Sequence, residues 1–346
     1  MSNHPDSSRR NFLKTTGVLG AAMVAGKVAE SSATVLPPMP SNPATEKAMP
    51  TRNLGCTGYR VGIFSLGGQA AIEQPNNEAV AVPIVERALD LGVNYIDTAA
   101  MYGGEQRWSQ RYIGQVMKRR RDQAYLCSKT HDRTRDGSLK LLEQSLKLLN
   151  TDHVDAWQLH HVDDQNDVDR IFAKGGAIEA LQEAREQKMV RFLGVTGHHD
   201  PDPLIQCLKR FQFDQILMAL NAADKHHLSF QEELLPLAVE KQLGIIGMKI
   251  PARGRILASW NPAEHHQSGF EGTAPGPGTL AMKEAMYYVL SQPVSTVIIG
   301  CDSVAQLEEN VQLARDFTPL SERQLAALAE KAQPVARQAL FFRRWA

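Results

Sequence analysis

Short apolar runs alternate with longer amphipathic stretches along the chain between residues 50 and 315. The short runs are rich in β-branched residues, as buried strands are, and the longer stretches have the apolar spacing of helices. Gly92, Gly244 and Pro293 stand near the ends of predicted helices, where such residues are common. The pattern predicts eight strands, at residues 63–66, 93–96, 124–127, 156–159, 192–195, 215–220, 245–248 and 296–299. It predicts eight helices, at residues 78–91, 107–118, 137–149, 176–187, 203–210, 230–242, 280–291 and 304–315.

This alternation predicts an α/β protein, and eight strand–helix units in about 250 residues are typical of a (β/α)8 TIM barrel. A doubly wound sheet is the alternative, and it would place a glycine-rich turn after its first strand. The sequence at that point is GGQAAIEQ, which lacks the G-x-G-x-x-G pattern. The barrel is therefore favoured.

Two segments fall outside the eightfold alternation. Residues 50–61, PTRNLGCTGYRV, predict an N-terminal β-hairpin ahead of the first strand, with Gly55 or Gly58 at its turn. Residues 256–279 are polar and rich in glycine and proline, and they predict a long loop after the seventh strand. Loops in this position border the active face of a barrel, so this loop, with Trp260, is a candidate lid over the substrate.

The first 33 residues have the pattern of an export signal. Arg9, Arg10 and Lys14 precede an apolar run at residues 18–25, and small residues at 31–33 suit a cleavage site. The sequence SRRNFLK resembles a twin-arginine (Tat) signal. This resemblance implies that the Tat machinery exports the folded protein, often with a cofactor inside, to the periplasm or otherwise out of the cytoplasm. Residues 34–48, rich in proline with serine and threonine, predict a linker, and residues 49–346 predict the barrel.

Charge and cysteine content narrow the possible partners. The chain has 38 basic and 38 acidic residues and no basic stripe, so a nucleic-acid partner is not expected. It has no apolar run of about 18 residues, so no stable membrane anchor is expected. The four cysteines, Cys56, Cys127, Cys207 and Cys301, have no metal-binding spacing, and three lie in apolar surroundings. Free buried thiols are therefore expected rather than disulfides.

Four reactive side chains follow three consecutive predicted strands. Asp97 and Tyr102 follow the second strand, Lys129 follows the third and His160 the fourth. The carboxyl ends of barrel strands meet at one rim, so these side chains should lie together. A nearby ammonium lowers the pKa of a phenol from its usual value of about 10, and a carboxylate holds that ammonium in place. With an imidazole to bind the substrate oxygen, the group could donate a proton to a carbonyl as negative charge develops.

The segments that carry these residues resemble the signature segments of the aldo-keto reductases. They are YIDTAAMYGGE, a strand ending in Ser-Lys, and DAWQLHHVD, followed by VIIGCDSVAQLEEN at the eighth strand. The resemblance covers residues 50–320. It implies a barrel that binds a nicotinamide cofactor, usually NADPH, and reduces a small aldehyde or ketone substrate. It implies Tyr102 as general acid, Lys129 and Asp97 as the pair that tunes it, and His160 as the residue that orients the substrate.

The resemblance also implies cofactor contacts after strands five to eight. Met248 stands where an aromatic residue often stacks on the nicotinamide, and Gln306 stands where an arginine often contacts the 2′-phosphate of NADP. Ser303 at a helix start, with Arg253 and Arg255, offers other phosphate contacts. NADP(H) is therefore the expected cofactor, with NAD(H) also open. The candidate cofactor residues are Thr196, Asn221, Met248, Lys249, Gly300, Ser303, Gln306, Glu309 and Asn310.

Two other functions are compatible with a barrel of this kind. One is a metal-dependent hydrolase, because eight of the eleven histidines lie in doublets, at 160–161, 198–199, 226–227 and 265–266. Neighbours in a strand point to opposite faces, so a doublet should supply one ligand at most, and no metal is expected. The other is a non-catalytic regulatory barrel that binds the cofactor. Cofactor oxidation with a carbonyl substrate, lost in Tyr102→Phe, separates an enzyme from such a barrel.

Overall fold

The computed structural model describes residues 35–259 and 276–345. The export signal and most of the predicted lid loop, including Trp260, lie outside the described residues. Residues Met1–Pro37 and Pro38–Ala346 form two separate units, and of the first only residues 35–37 are described. The second unit contains every strand and helix reported below.

Eight parallel strands close into a barrel, which confirms the predicted fold class. The eight strands pair in chain order around the barrel, and pairing of Val297 with Phe64 closes the ring between the last strand and the first. All eight predicted strands are present, with ends shifted by a few residues. They are β3 (Phe64–Gly67), β4 (Tyr95–Asp97), β5 (Tyr125–Thr130), β6 (Val154–Leu159), β7 (Val190–Gly197), β8 (Gln215–Ala219), β9 (Gly244–Met248) and β10 (Thr296–Ile299).

The predicted hairpin precedes the barrel and consists of β1 (Thr51–Asn53) and β2 (Arg60–Gly62), paired antiparallel. Gly55 has a φ of +54°, and a Cβ there would lie 2.3 Å from the backbone nitrogen of Gly244. The Tyr59 hydroxyl donates to the carbonyl of Asn94, just before β4 begins, over 2.8 Å. The hairpin therefore packs on the amino-terminal end of the barrel and leaves the carboxyl ends of the strands open.

The barrel interior holds large side chains that point inward from alternate strand positions. The rings of Tyr95 and Tyr125 stack with centroids 5.1 Å apart, and the amide of Gln215 bonds both hydroxyls, at 3.2 and 3.0 Å. A second and larger apolar layer packs the outer faces of the strands against the helices. These side chains fill the barrel interior toward its amino-terminal end, so a site is expected at the carboxyl end.

All eight predicted helices are present, though the helix predicted at 230–242 covers only Leu234–Glu240. Four helices were not predicted, and two of them begin at side-chain caps: Asp164 accepts from the backbone nitrogen of Asp167, and Ser321 shares a capping box with Gln324. None of the described helices is long and apolar enough to cross a membrane. The helices are α1 (Thr45–Ala48), α2 (Glu78–Asp90), α3 (Trp108–Arg120), α4 (Arg135–Leu148), α5 (Gln165–Phe172), α6 (Ala177–Glu186), α7 (Pro201–Arg210), α8 (Leu234–Glu240), α9 (Met282–Leu290), α10 (Val304–Arg315), α11 (Glu322–Ala332) and α12 (Ala336–Ala339).

Part of the predicted linker is bound to the barrel. The Asn42 side chain donates to the carbonyl of Leu89 over 2.7 Å, and the Thr45 hydroxyl donates to that of Gly92 over 2.8 Å. Residues 42–48 are therefore held against the end of α2. The boundaries predicted for the signal, the linker and the barrel remain predictions. All four cysteines are free thiols, as expected, with Cys56 exposed and the other three buried.

The carboxy-terminal segment is fixed to the barrel by a buried ion pair. The guanidinium of Arg343 contacts the carboxylate of Asp224, and both side chains are fully buried. The same guanidinium lies 3.7 Å from the centroid of the Phe230 ring. The pair holds residues 341–345 near the carboxyl ends of the strands, because Arg343 also donates to the carbonyls of His198 and Ala219.

We expect Asp224→Asn to lower the free energy of unfolding by about 3–5 kcal/mol, because it leaves the Arg343 charge buried without a counter-charge. Urea unfolding followed by circular dichroism measures this. Glu143→Gln is the matched control, since its partner Lys147 is exposed and the loss should be about 0.5 kcal/mol or less. Equal losses for the two variants would contradict the anchoring role of the Arg343–Asp224 pair.

Candidate active site

Three adjacent parallel strands bring the four predicted catalytic residues together at the carboxyl end of the barrel. Asp97 ends β4, Lys129 lies near the end of β5, and His160 directly follows β6. Tyr102 lies in the loop after β4. The in-register pairs Asp97–Cys127 and Lys129–Gln158 align the three strand ends at one rim. Strand pairing therefore brings Asp97 and Lys129 together, and the segments that follow β4 and β6 bring Tyr102 and His160 to the same rim.

Lys129 is the centre of the group. Its buried ammonium contacts the Asp97 carboxylate and donates to the carbonyl of Thr98 over 2.9 Å. It also donates to the Tyr102 hydroxyl over 3.4 Å. The ammonium thus contacts the Asp97 carboxylate, the Thr98 carbonyl and the Tyr102 hydroxyl at once. These contacts fix the position of the phenol oxygen.

Burial and charge shift the pKa values of these groups in ways that suit their contacts. Burial raises the pKa of Tyr102 to about 12, and the Lys129 ammonium offsets part of that rise. The ammonium lowers the pKa of Tyr102, as the sequence indicated, but burial, which the sequence does not reveal, has the larger effect and makes the net shift upward. Burial is the largest single influence on the pKa of Lys129 and lowers it, but Asp97 and Tyr102 together raise it further, so the net shift is upward. The resting pair is therefore a phenol beside an ammonium.

His160 lies beside Tyr102 as a neutral imidazole. The two rings meet edge to face, with centroids 5.6 Å apart. Burial, then the charge of Lys129, lowers the pKa of His160 well below its usual value. The backbone nitrogen of His160 donates to Thr130, and its carbonyl accepts from Arg133 over 2.9 Å. Within the described residues the Nδ1 atom of His160 has no hydrogen-bond partner, so the ring keeps a polar atom for a ligand.

A cleft opens beside these residues, between the ends of β3, β9 and β10. Tyr102, Met248, Lys249 and Gly300 line it, so three of the predicted cofactor residues meet the catalytic group. Burial, then repulsion from Arg253, lowers the pKa of Lys249 to about 8. This wall of the cleft therefore carries closely spaced positive charge.

Two glycines let the backbone approach closely on the opposite wall of the cleft. A Cβ on Gly67 would lie 3.0 Å from the backbone nitrogen of Gly300, and one on Gly68 would lie 2.4 Å from the carbonyl oxygen of Asp97. Side chains at these positions would fill the cleft or force the strand ends apart. Gln69 and Glu73 follow them and also line the cleft. Gln69 and Glu73 were not predicted from the sequence as site residues. Their position just after the first barrel strand is the signal that could have identified them, because residues after barrel strands gather at this rim.

The other predicted cofactor residues lie outside the wall of this cleft. Thr196 is buried on β7. The Asn221 side chain donates to the carbonyls of Lys249 and Ala339, both over 3.3 Å, so it supports the loop that carries Lys249. The remaining four lie at or within α10, beyond Gly300. Ser303 caps the helix by accepting from the backbone nitrogen of Gln306, and the Gln306 side chain accepts from the backbone nitrogen of Asp302. Farther along the helix, Glu309 is exposed, and Asn310 is buried with its amide in contact with Cys301.

A second cavity continues from the cleft past Tyr102 and His160. His161, His198 and His199 form its far side. The rings of His161 and His198 stack, with centroids 5.8 Å apart. All three belong to the histidine doublets of the sequence, and His198 directly follows the fifth barrel strand.

The model of the aldo/keto reductase family matches residues 60–273. The chain belongs to this family. The model of the TAT (twin-arginine translocation) pathway signal sequence matches residues 6–26, so this aldo/keto reductase carries a Tat signal. Both resemblances seen in the sequence are confirmed.

Known proteins related to this aldo/keto reductase are similar along most of their length. The uncharacterized oxidoreductase YqkF of Bacillus subtilis (strain 168) is 26% identical over 312 residues, 81% of this chain and 95% of that protein. L-Galactose dehydrogenase of Arabidopsis thaliana is 28% identical over 296 residues, 78% and 89% of the two chains. The holo form of aldo-keto reductase AKR11C1 from Bacillus halodurans superposes with a TM-score of 0.67 at 25% identity, covering 82% of this chain and 96% of that one. The chain is therefore similar to oxidoreductases.

Proposed function

We propose that this aldo/keto reductase is an NAD(P)H-dependent carbonyl reductase that converts an aldehyde or ketone to an alcohol, with NADP(H) as its preferred cofactor. The observation that carries the proposal is the contact of one buried ammonium, that of Lys129, with both the Asp97 carboxylate and the Tyr102 hydroxyl. This contact lies at the junction of two cavities, one for a cofactor and one for a substrate.

The residues of the cleft fit a dinucleotide. Lys249 and Arg253 lie close enough for their charges to repel each other, and a polyanion would relieve that repulsion. Met248 and Ile298 supply apolar surface in the same cleft. When bound, a reduced nicotinamide supplies hydride to the carbonyl carbon. Met248, Lys249 and Gly300 would hold it nearest the catalytic group.

The other candidate cofactor residues would act farther from the reacting atoms. Thr196, buried on β7 outside the cleft wall, would act indirectly, and Asn221 would act through the loop of Lys249. Ser303, Gln306, Glu309 and Asn310 would meet the adenine half, where the amino-terminal end of α10 favours a phosphate.

The proton transfer follows from the pKa shifts of the catalytic group. A Tyr102 phenol with a pKa of about 12 holds its proton at rest, so it is a donor rather than a phenolate. As charge develops on the carbonyl oxygen, Tyr102 donates its proton, and the nearby Lys129 ammonium stabilises the phenolate that forms. Neutral His160 donates from its ring to the same oxygen and orients the substrate.

We expect Tyr102→Phe to lower kcat for NADPH oxidation with a carbonyl substrate by about 10²–10⁴-fold, because the variant lacks the proton donor. Steady-state assays at 340 nm measure kcat, and fluorescence titration of NADPH should give an unchanged Kd. Tyr288→Phe is the matched control, since its hydroxyl contacts Gln231, outside both cavities, and its kcat should match the wild type. A wild-type protein that binds NADPH but oxidises none with a panel of carbonyls would favour the non-catalytic regulatory barrel.

We expect the affinity for NADPH to fall as pH rises above about 8, because free Lys249 then loses its charge. The direction follows from the lowered pKa: below it Lys249 is an ammonium that attracts phosphate, and above it a neutral amine. Titrations at a series of pH values should show the fall in the wild type and in the exposed control Lys140→Met. Lys249→Met should bind more weakly at neutral pH and lack the fall. If the affinity of the wild type for NADPH does not change with pH across this range, the role of Lys249 is contradicted. Parallel titrations with NADH test the preference for NADP(H).

The Tat signal implies a cellular place for this reaction. Tat substrates cross the membrane folded, and nicotinamide cofactors are made in the cytoplasm, so we propose export to the periplasm with the cofactor already bound. We expect protein purified from the periplasmic fraction to contain bound nicotinamide dinucleotide, identified by mass spectrometry after denaturation. A variant with Arg9 and Arg10 replaced by lysine should stay in the cytoplasm. An empty site in the periplasmic protein would contradict export of a loaded complex.

A further inference from the structure

Three metal-binding side chains meet on the far side of the substrate cavity. One donor atom each from Asp163, His198 and His199 lies within 4.8 Å of the others. Asp163 is in the loop after β6, and the histidines directly follow β7. Side chains alternate between the two faces of a strand, so a histidine doublet within a strand was expected to supply one ligand at most. That rule does not apply to His198 and His199, because β7 ends at Gly197. Their rings lie with centroids 4.6 Å apart.

The carboxylate of this group is held in place by its neighbours. His161 donates from Nδ1 to Oδ2 of Asp163 over 2.7 Å, and the backbone nitrogen of Asp163 donates to Asp167 over 3.1 Å. Arg133 bonds both oxygens of Asp167, at 2.7 and 3.0 Å. Hydrogen bonds that orient a ligand in this way are typical of metal sites.

Two donor atoms of the group lack hydrogen bonds. Within the described residues, Nδ1 of His198 and Oδ1 of Asp163 are buried and have no hydrogen-bond partner. Nδ1 of His199 lies 3.3 Å from Oδ1 of Asp163 without forming a hydrogen bond. Buried polar atoms are nearly always bonded, so these atoms call for an explanation. A cation between them would give each a partner.

The surrounding charge favours a cation on one side. Asp164, Asp200 and Asp202 line a groove together with Asp163, and Arg344 is the basic residue there. On the cavity side, Lys249 and Arg343 place positive charge near His198.

We propose that Asp163, His198 and His199 form a site for a divalent transition-metal ion, with Zn²⁺ the ion that two imidazoles and a carboxylate suit. Three protein ligands leave a further coordination position open. His198 and His199 line the same cavity as Tyr102 and His160, so a metal there would border the space proposed for the substrate. The site is separate from the proposed catalytic group and stands independently of its chemistry.

Zn²⁺ binding to the full chain, made without a polyhistidine tag and stripped with a chelator, tests the proposal by isothermal titration calorimetry. We expect one Zn²⁺ per chain, and a Kd raised at least about tenfold in each of Asp163→Asn, His198→Gln and His199→Gln. Asp202→Asn is the matched control, because it makes the same charge change in the same groove, and its Kd should be unchanged. Equal weakening by Asp202→Asn would show diffuse attraction to the acidic groove and overturn the site.

Co²⁺ titration of the wild-type protein gives a readout that does not depend on the variants folding. Intense visible absorption bands are expected for Co²⁺ in a low-coordinate site with imidazole ligands, and Zn²⁺ should abolish them. Absence of Zn²⁺ binding, binding retained in all three variants, or a Co²⁺ spectrum like that of the hydrated ion would each overturn the proposal. None of these readouts requires carbonyl reduction, so failure of this site is distinguishable from failure of the proposed reaction.

Discussion

The buried ammonium of Lys129 is the constraint on which the site depends. A buried cation without a counter-charge costs several kcal/mol, so Lys129 must stay in contact with the Asp97 carboxylate and the Thr98 carbonyl. Those acceptors lie at the end of β4, and the parallel pairing of β4 with β5 sets their height relative to Lys129. The position of the Tyr102 hydroxyl follows, because the ammonium also donates to it.

Charge divides the open face of the barrel into two halves. Around the cleft between β3, β9 and β10, Lys249 and Arg253 concentrate positive charge, which suits a phosphate-bearing ligand. After β6 and β7, histidines meet aspartates, which suits a cation. Tyr102 and His160 lie where the two halves meet. The proposed reductase and the proposed metal site therefore use different residues of one continuous cavity system.

The strands and most helices could be predicted because each has a local cause. A buried parallel strand needs a short apolar run, and each covering helix needs an apolar stripe, so eight repeats of that pattern indicate the barrel. The capped helices α5 and α11 were missed because they add no strand to the alternation, although Ser321 and Gln324 form a capping box that the sequence shows. The cofactor residues were harder to predict: Met248 lines the cleft, whereas the amide of Asn221 is bonded to the backbone of a neighbouring loop.

The sequence by itself determined the barrel, the export signal and the meeting of Asp97, Tyr102, Lys129 and His160, because parallel strands bring the residues that follow them to one rim. Only the tertiary structure decided the electrostatics of that rim. The pKa of Tyr102 depends on burial as well as on the nearby ammonium, and burial is a property of the packed molecule. The tertiary structure also decided how the rings of His198 and His199 are placed. Side chains alternate between faces only within a strand, and β7 ends at Gly197.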